Sequence, residues 1–278
     1  MIKLNSLLEI VNNYDNYIID QWGVMHDGTN GYNHAIQTIN YLKEQNKNLF
    51  IISNSSKRKS SSKDSLKKLG FVKESFIDIL TSGEMIWNLI NKKYSNTKIK
   101  KNCFHIFDKT KEDGLLFREG LNLNFVDNVE HSDLILACTP FSNMKLIDYI
   151  PILKKAIDKK LIMYCANPDF ETVDKNYTHN IFCMGAVAEI YRKMGGETVI
   201  QGKPEKDIYI ETTKSIKLVK SKTVAVGDSL FHDIKGANNF LVDSILIKSG
   251  IHKDLKNINM ICKNHLISPS YIIDKFSI

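Results

Sequence analysis

The chain has 278 residues, of which 43% are apolar and 25% are charged, and its formal net charge is +7. This composition is typical of a folded protein with a sizeable core, and the length suggests two domains or one large domain with an insertion. The positive charge is spread over predicted helices and is not clustered with aromatic residues, so we expect no nucleic acid partner.

The N-terminal segment is predicted to be an amphipathic helix, because Leu4, Leu7, Leu8 and Val11 fall on one face of a helical repeat. Glu9 interrupts the apolar stretch, so the segment does not resemble a signal peptide. No window of the sequence approaches the roughly 18 apolar residues of a membrane span. We therefore expect a cytoplasmic protein without a membrane partner.

The cysteines are five in number, widely spaced and without a Cys-x-x-Cys pair: Cys103, Cys138, Cys165, Cys183 and Cys262. This pattern favours reduced, buried thiols over a disulfide framework or a zinc ribbon.

Short apolar runs followed by polar or glycine-containing segments recur along the chain, at Tyr17–Ile19, Leu49–Ile52, Thr198–Ile200, Thr223–Val226 and Ser244–Ile247. Continuous apolar character is typical of strands that are buried on both faces, as in a parallel sheet covered by helices. Helical periodicity fills the intervals, for example over 35–42, 66–69 and 208–216. The pattern indicates a doubly wound α/β fold.

Between about Met85 and Met194 this rhythm changes to a second set of predicted strands, at Cys103–Ile106, Leu134–Ala137 and Leu161–Tyr164, with a helical stretch over 144–159. A block of this length can bury a core of its own. We therefore predict a core domain of residues 1–85 and 195–278 and an inserted domain of residues 86–194.

Reactive side chains follow the predicted core strands. Asp20, Ser53, Lys203 and Asp228 each stand at or just beyond the end of an apolar run. Ligands of open α/β sheets bind outside the carboxyl ends of the strands, so we expect these side chains to converge on one site.

The residue types at these positions suit phosphoryl chemistry. Asp20 could attack phosphorus as an ionised carboxylate, and Asp228 and Asp233 lie on one loop that suits Mg²⁺. Lys203, between a glycine and a proline, could neutralise charge on the transferring group. Taken one at a time, each of these residues could equally be a turn or cap residue or, for the lysine, a surface charge.

Ser53 begins a polar segment, Ser-Asn-Ser-Ser, whose hydroxyl and backbone N–H groups could bind phosphate oxygens. Arg58 follows closely and could attract the anion. In isolation, this segment would be read as an ordinary polar loop.

In this order and at these strand ends, the four segments resemble the four signature motifs of the haloacid dehalogenase superfamily. The insertion resembles the C2-type cap of subclass IIA, which includes p-nitrophenyl, phosphoglycolate and nucleotide or sugar phosphatases. Three further segments are similar to features of that subclass, namely 81–84 (Thr-Ser-Gly-Glu), 166–169 (Ala-Asn-Pro-Asp) and 249–251 (Ser-Gly-Ile).

The resemblance implies a doubly wound parallel sheet core with an inserted α/β cap. It also implies a Mg²⁺-dependent phosphatase that acts on a small phosphorylated metabolite. Capped relatives often form a homodimer through the cap, and the oligomeric state of this chain is left open by the sequence. Its implied metal ligands are Asp20, the backbone oxygen of Trp22, Asp228 and Asp233. The catalytic residues would be Asp20 as nucleophile, with Lys203 and Ser53. The substrate would contact Ser53, Asn54, Ser55, Arg58, Asn167, Asp169 and Lys203.

Trp22 departs from the family pattern, which ordinarily has a second Asp at this position to protonate the leaving oxygen and later activate water. Tryptophan offers no proton of useful pKa, so a contribution on the order of 10²–10⁴ in rate could be absent. His26 or Asp27 could replace the acid, although a turn-forming role is equally natural for them. Alternatively, the substrate could have a good leaving group, such as an acyl phosphate or a phenol.

Two other functions remain open at this point. One is a catalytically impaired protein that binds phosphate and serves regulation. The other is a hydrolase of another bond type, such as a dehalogenase, although the Asp228 and Asp233 pair favours metal chemistry that a dehalogenase does not need.

Overall fold

The computed structural model describes residues 1–171, 182–253, 255 and 257–278. The chain divides into two compact units. The first comprises Met1–Ser53, Ser62–Leu80 and Lys203–Ile278, and the second comprises Asn54–Ser61 and Thr81–Gly202. The boundaries predicted from the sequence, after residue 85 and before residue 195, differ from these, because residues 54–61, 81–85 and 195–202 group with the second unit.

The strands, in chain order, are β1 (Ile2–Lys3), β2 (Asn16–Ile19), β3 (Asn48–Ser53), β4 (Asp78–Thr81), β5 (Lys101–Ile106), β6 (Leu123–Val126), β7 (Leu134–Ala137), β8 (Ile162–Cys165), β9 (Glu197–Ile200), β10 (Thr223–Gly227), β11 (Asp243–Ile247) and β12 (Tyr271–Ile273). The helices are α1 (Asn33–Glu44), α2 (Lys59–Lys68), α3 (Ser82–Tyr94), α4 (Asp113–Arg118), α5 (Ile150–Asp158), α6 (Met184–Lys193), α7 (Lys206–Thr213), α8 (Lys235–Phe240) and α9 (Ile258–His265). Strands and helices alternate, as expected for an α/β fold.

In the described part of the first unit, the sheet has the order β1-β12-β11-β10-β2-β3-β4. The inner strand β2 pairs in parallel with β10 and β3, so that Ile18 lies between Ala225 and Phe50. Ile18 and Phe50 are fully buried, and so are their neighbours Tyr17 and Ile19, which point to the other face. Burial on both faces confirms the doubly wound parallel sheet predicted from the continuous apolar runs.

The second unit has a parallel sheet of its own, with the order β6-β5-β7-β8-β9 among the described residues. The strands predicted inside the insertion correspond to β5, β7 and β8. The run Thr198–Ile200, which was predicted for the core sheet, is instead part of β9 and pairs with β8. This prediction was wrong because a short apolar run contains no information about which sheet it joins.

The N-terminal segment is not an α-helix, which corrects the prediction. It forms the short strand β1 and then two short 3₁₀ turns, Leu7–Glu9 and Val11–Asn13. The side chain of Glu9 accepts hydrogen bonds from the backbone of Asn5 and Ser6 and closes the first turn at its start. The two turns are separated at Ile10, whose φ of −127° is not helical, so they do not merge into one regular helix.

The helical patterns predicted around residues 35–42, 66–69 and 208–216 correspond to α1, α2 and α7. The stretch 144–159 contains a 3₁₀ turn, Leu146–Tyr149, that leads into α5 with Pro151 in its first turn. Within the described residues, no helix is both long enough and apolar enough to cross a membrane.

Candidate active site

Asp20, Lys203, Asp228 and Asp233 come together in the first unit. Asp20 and Asp228 meet there from the ends of core strands, as expected, whereas Lys203 follows β9 of the second sheet and the part predicted for Ser53 stays a prediction. Asp20 follows β2 and Asp228 follows β10, and these strands are neighbours in the sheet. The backbone N–H of Asp20 donates to the Val226 carbonyl at 2.9 Å, which continues the pairing of the strands up to Asp20. All four side chains are at least 95% buried, with exposed fractions of 3–5%.

Lys203 joins two of the carboxylates. Its Nζ donates to Asp20 Oδ1 at 2.5 Å and to Asp233 Oδ1 at 2.7 Å. Charged groups this deeply buried are costly unless they are paired and hydrogen-bonded. The lysine therefore compensates negative charge at the centre of the site and is not a surface residue.

The three carboxylates form a cluster that could hold a metal ion. One oxygen from each of Asp20, Asp228 and Asp233 lies within 4.8 Å of the others. Mg²⁺ prefers hard oxygen ligands and is usually bound through a few carboxylates. The donor set therefore fits a divalent cation of this kind.

The pKa of Asp20 also favours a bound cation at this cluster. Burial raises the pKa of Asp20 well above its usual value, the Lys203 ammonium opposes this rise, and the nearby Asp233 and Asp228 add to it. A divalent cation among these oxygens would favour their ionised forms. A divalent cation together with Lys203 would therefore balance the three carboxylates better than Lys203 alone.

Asp228 is fixed by the segment that follows β11. Its Oδ2 accepts a hydrogen bond from the backbone N–H of Ile251 at 2.8 Å. A Cβ atom at Gly250 would lie 2.0 Å from the same oxygen, so only glycine allows this close approach. The similarity of residues 249–251 to the family thus corresponds to a contact with a proposed metal ligand.

Asp233 lies in a π turn, Leu230–Ile234, that precedes α8. The backbone N–H of Ser229 donates to Asp233 Oδ2 at 3.0 Å, while Oδ1 faces Lys203. A Cβ atom at Gly227 would lie 2.1 Å from Asp233 Cγ, so this glycine makes room for the carboxyl group. The sequence indicated a loop here and gave no sign of the widened turn.

Trp22, the departure from the family pattern, is partly buried beside His26. Their ring centroids are 4.9 Å apart in an edge arrangement, and a short bridge pairs the two backbones. The Nδ1 atom of His26 accepts a hydrogen bond from the backbone N–H of Gly28 at 3.0 Å. This nitrogen is thereby committed to the local turn. The role predicted for the Trp22 backbone oxygen stays a prediction.

Asp27 forms the turn that the alternative interpretation of this segment suggested. Its Oδ1 accepts hydrogen bonds from the backbone N–H groups of Thr29 and Asn30 at 3.1 and 2.9 Å. These bonds are typical of an Asx turn. They favour a structural role for Asp27 over that of a replacement acid.

The residues predicted to contact substrate are divided between the units. Ser53, at the end of β3, and Lys203 belong to the first unit, and both are buried. The others belong to the second unit: Asn54, Ser55, Arg58, Asn167 and Asp169. Their role in substrate binding stays a prediction.

Within the second unit, two of these residues are joined directly. Asn54 Nδ2 donates to Asp169 Oδ1 at 2.7 Å, and the backbone N–H of Asp169 donates to Asn167 Oδ1 at 3.1 Å. The segment 166–169 is therefore linked to the residue that follows Ser53 in the chain.

Arg58 is already engaged. Its Nε and Nη2 donate to the two carboxylate oxygens of Glu84 at 2.7 and 3.3 Å, and its guanidinium stacks over the Trp87 ring at 3.8 Å. The Arg58 guanidinium contributes to a lowered pKa of the Glu84 carboxyl, although burial acts in the opposite direction. An anion could recruit Arg58 only in competition with this pair.

The cysteines are all free and buried, as predicted. Burial raises the pKa of the Cys103 and Cys165 thiols to about 12, so both are protonated at neutral pH. They are packing residues of the second unit and not nucleophiles.

Comparison with protein families supports the interpretation of the motifs. Residues 17–115 match the model of haloacid dehalogenase-like hydrolases, and residues 200–277 match a second model of hydrolases like the haloacid dehalogenases. The two matches contain all four residues of the buried cluster. No curated protein sequence matches this chain significantly.

Solved structures share the fold. A hydrolase of the haloacid dehalogenase-like family from Brucella suis is 24% identical, with 98% of this chain and 99% of that chain covered and a TM-score of 0.82. A protein described as a possible sugar phosphatase from Cytophaga hutchinsonii is 19% identical, with 100% and 99% covered and a TM-score of 0.75. A p-nitrophenyl phosphatase from Archaeoglobus fulgidus is 18% identical, with 95% and 97% covered and a TM-score of 0.71. The motifs, the family matches and the fold agree that this chain belongs to the haloacid dehalogenase superfamily of hydrolases, in a manner consistent with subclass IIA.

Proposed function

We propose that the protein is a Mg²⁺-dependent phosphatase that hydrolyses a small phosphomonoester through an aspartyl-phosphate on Asp20. The observation that carries the proposal is the buried cluster in which Lys203 bonds Asp20 and Asp233 while Asp228 lies within reach of both carboxylates. Phosphatases named among structures of the same fold agree with this reaction class.

Asp20 acts as the nucleophile in the first step. One of its carboxylate oxygens attacks phosphorus, the bond from phosphorus to the ester oxygen breaks, and the leaving group departs with the electron pair. In the second step water attacks the same phosphorus, the bond to the Asp20 oxygen breaks, and inorganic phosphate is released with loss of one proton to solvent. Asp20 is thereby regenerated.

The remaining residues stabilise charge. Lys203 offsets the negative charge that Asp20 and the phosphoryl oxygens would otherwise bring together. Asp20, Asp228 and Asp233 would hold the metal ion, together with the backbone oxygen of Trp22. Bound there, Mg²⁺ supplies positive charge that allows an anionic nucleophile to approach an anionic substrate.

Trp22 limits the substrate class. Because the residue two positions after the nucleophile cannot donate a proton and Asp27 is bonded within a turn, the leaving group receives little help from an acid. Substrates whose leaving group is stable as an anion, such as phenyl esters or acyl phosphates, are therefore favoured over alkyl esters.

The test compares an aryl with an alkyl phosphate. Turnover of p-nitrophenyl phosphate and of glycerol phosphate is measured with and without Mg²⁺ for the wild type, Asp20→Asn and Trp22→Asp. We expect Mg²⁺-dependent hydrolysis of the aryl ester by the wild type, loss of it in Asp20→Asn, and a gain on the alkyl ester in Trp22→Asp. Unchanged activity in Asp20→Asn would contradict the proposed nucleophile.

A second candidate function follows from the same departure at Trp22. A protein that has the phosphate site but lacks the general acid could bind a phosphorylated ligand without turnover and serve regulation. Binding of Mg²⁺ and phosphate by the wild type, with no hydrolysis over a broad panel that includes acyl phosphates, would favour this alternative over a phosphatase.

A further inference from the structure

Asp233 occupies an unusual backbone setting for a residue at a proposed metal site. Its N–H and that of Ile234 both donate to the Ser229 carbonyl, at 3.0 and 3.1 Å, so the turn is wider than a regular α-helical turn. Widened turns of this kind break the regular pairing of backbone groups and are frequent at functional sites. The position of the Asp233 carboxylate therefore depends on what else holds this turn.

A tyrosine from another helix holds it. Tyr209, in α7, is fully buried, and its hydroxyl donates to the backbone carbonyl of Asp233 at 3.1 Å. Its ring stacks on Phe240 of α8, with centroids 5.3 Å apart. A Cβ atom at Gly236 would lie 2.5 Å from the hydroxyl oxygen, so the absence of a side chain there lets α8 approach the ring.

Tyr209 forms its hydrogen bond with the backbone of Asp233, while other groups form hydrogen bonds with the Asp233 side chain. Asp233 Oδ1 accepts from Lys203 at 2.7 Å and Oδ2 accepts from the Ser229 N–H at 3.0 Å. A shift of the backbone at Asp233 would move its carboxylate relative to Lys203 and to the other carboxylates of the cluster.

We propose that Tyr209 is a positioning residue, which fixes the backbone of Asp233 so that its carboxylate stays in register with Lys203 and the metal site. The inference rests on the proposed function and names a residue that none of the sequence motifs contains. Partners that orient metal ligands in this way typically contribute about 10-fold or more to metal affinity.

The test removes one hydroxyl group from each of two buried tyrosines. Tyr209→Phe deletes the bond to Asp233. The matched control, Tyr191→Phe, deletes an equally buried tyrosine hydroxyl that donates to the Leu161 carbonyl at 2.7 Å in the second unit. For both variants and the wild type, Mg²⁺ binding is measured by titration calorimetry without substrate, and kcat and KM are measured with p-nitrophenyl phosphate.

We expect Tyr209→Phe to bind Mg²⁺ about 10-fold more weakly and to lose kcat with little change in KM, and Tyr191→Phe to bind Mg²⁺ like the wild type. Both variants should lose thermal stability to a similar degree, so that a purely structural effect is visible in the control. Equal Mg²⁺ affinity in Tyr209→Phe and the wild type would overturn the positioning role alone. A wild type that binds no Mg²⁺ would overturn the proposed metal site together with it.

Discussion

The backbone of Gly23 packs directly against the carboxylate of Asp228. A Cβ atom at Gly23 would lie 2.0 Å from Asp228 Oδ2, and Gly23 has a positive φ of 75°. A Cβ atom at Gly250 would lie equally close to the same oxygen. The carboxylate of a proposed metal ligand therefore packs against two glycine backbones.

Replacing Gly23 by alanine should weaken the metal site. The added methyl group must displace the Asp228 side chain, so we expect Mg²⁺ binding to weaken by about 10-fold or more, as measured by titration calorimetry. The control is Gly195→Ala, because Gly195 also has a positive φ, 95°, but has no other atom within 4 Å of its added Cβ. The positive φ alone should cost each variant about 1–2 kcal/mol of unfolding free energy, and Gly23→Ala should lose more because its methyl group displaces the buried Asp228 carboxylate. Equal Mg²⁺ affinities in the two variants would argue against the Asp228 ligand.

Lys203→Met should damage both stability and activity. It leaves two buried carboxylates without their shared cation, so the free energy of unfolding should fall by roughly 3–5 kcal/mol and turnover by about 10²–10³. Lys220→Met is a control, since Lys220 donates to the neutral carbonyl of Phe240 and should cost only about 1 kcal/mol. Urea unfolding and initial rates provide the comparison. Similar losses in the two variants would mean that the buried charge pairing is unimportant.

Asp27→Asn should leave turnover of p-nitrophenyl phosphate close to the wild-type value. Asparagine keeps the side-chain oxygen that accepts from the Thr29 and Asn30 backbones, so the turn is preserved although the acid is removed. If turnover instead slowed by about 10²-fold or more, as expected for loss of a general acid, Asp27 would be identified as the replacement acid.

The second unit should lose stability in mild acid through His105. Its Nδ1 accepts a hydrogen bond from Arg118 Nε at 3.1 Å, and its Nε2 lies 3.2 Å from Cys138 Sγ. Burial, and then the Arg118 charge, lowers the pKa of His105 well below its usual value. In the unfolded chain His105 binds a proton as the pH falls below about 6.5, whereas in the folded protein it stays neutral. The contribution of neutral His105 to the free energy of unfolding is therefore fully present above that pH and decreases below it.

His105→Phe removes this titration. Between pH 6.5 and 5.5 the unfolding free energy of the wild type should fall by about 1 kcal/mol more than that of the variant, because one unit of pH is worth at most about 1.4 kcal/mol per proton. At pH 7.5 the variant should be the less stable protein, since Arg118 loses its acceptor. Parallel pH profiles from chemical denaturation would contradict this assignment.

The sequence predicted the central strands because their apolar runs are bounded by polar residues. Ile18 and Phe50 could be assigned to a buried sheet without coordinates for this reason. The edge strand β1 and its neighbour β12 were not predicted: β1 contains only Ile2 and Lys3, and in β12 Tyr271 to Ile273 give no alternation to recognise. Edge pairing of such short segments is decided by tertiary contacts and not by local pattern.

The candidate site was predictable to the extent that its residues lie at strand ends. Asp20 and Asp228 follow adjacent strands, and the topology of a parallel sheet brings them together. Tyr209 was not recognised because its position in a helix looks like that of any core residue. The hydrogen bond from the Ile251 backbone to Asp228 could not be predicted either, since every residue except proline has a backbone N–H donor.

The pairing of β2 with β10 has a consequence for how the chain is made. Residue Ile18 finds its partner Ala225 only near the end of translation, whereas all strands of the second sheet lie between residues 101 and 200. Domains fold as units during synthesis, so we expect the second sheet to assemble on the ribosome while β2 still lacks its neighbour β10. Nascent chains arrested before residue 223 should resist protease over the second sheet and be cut near residue 20. The Asp20 carboxylate is thus among the first groups to be synthesised and among the last to acquire its surroundings.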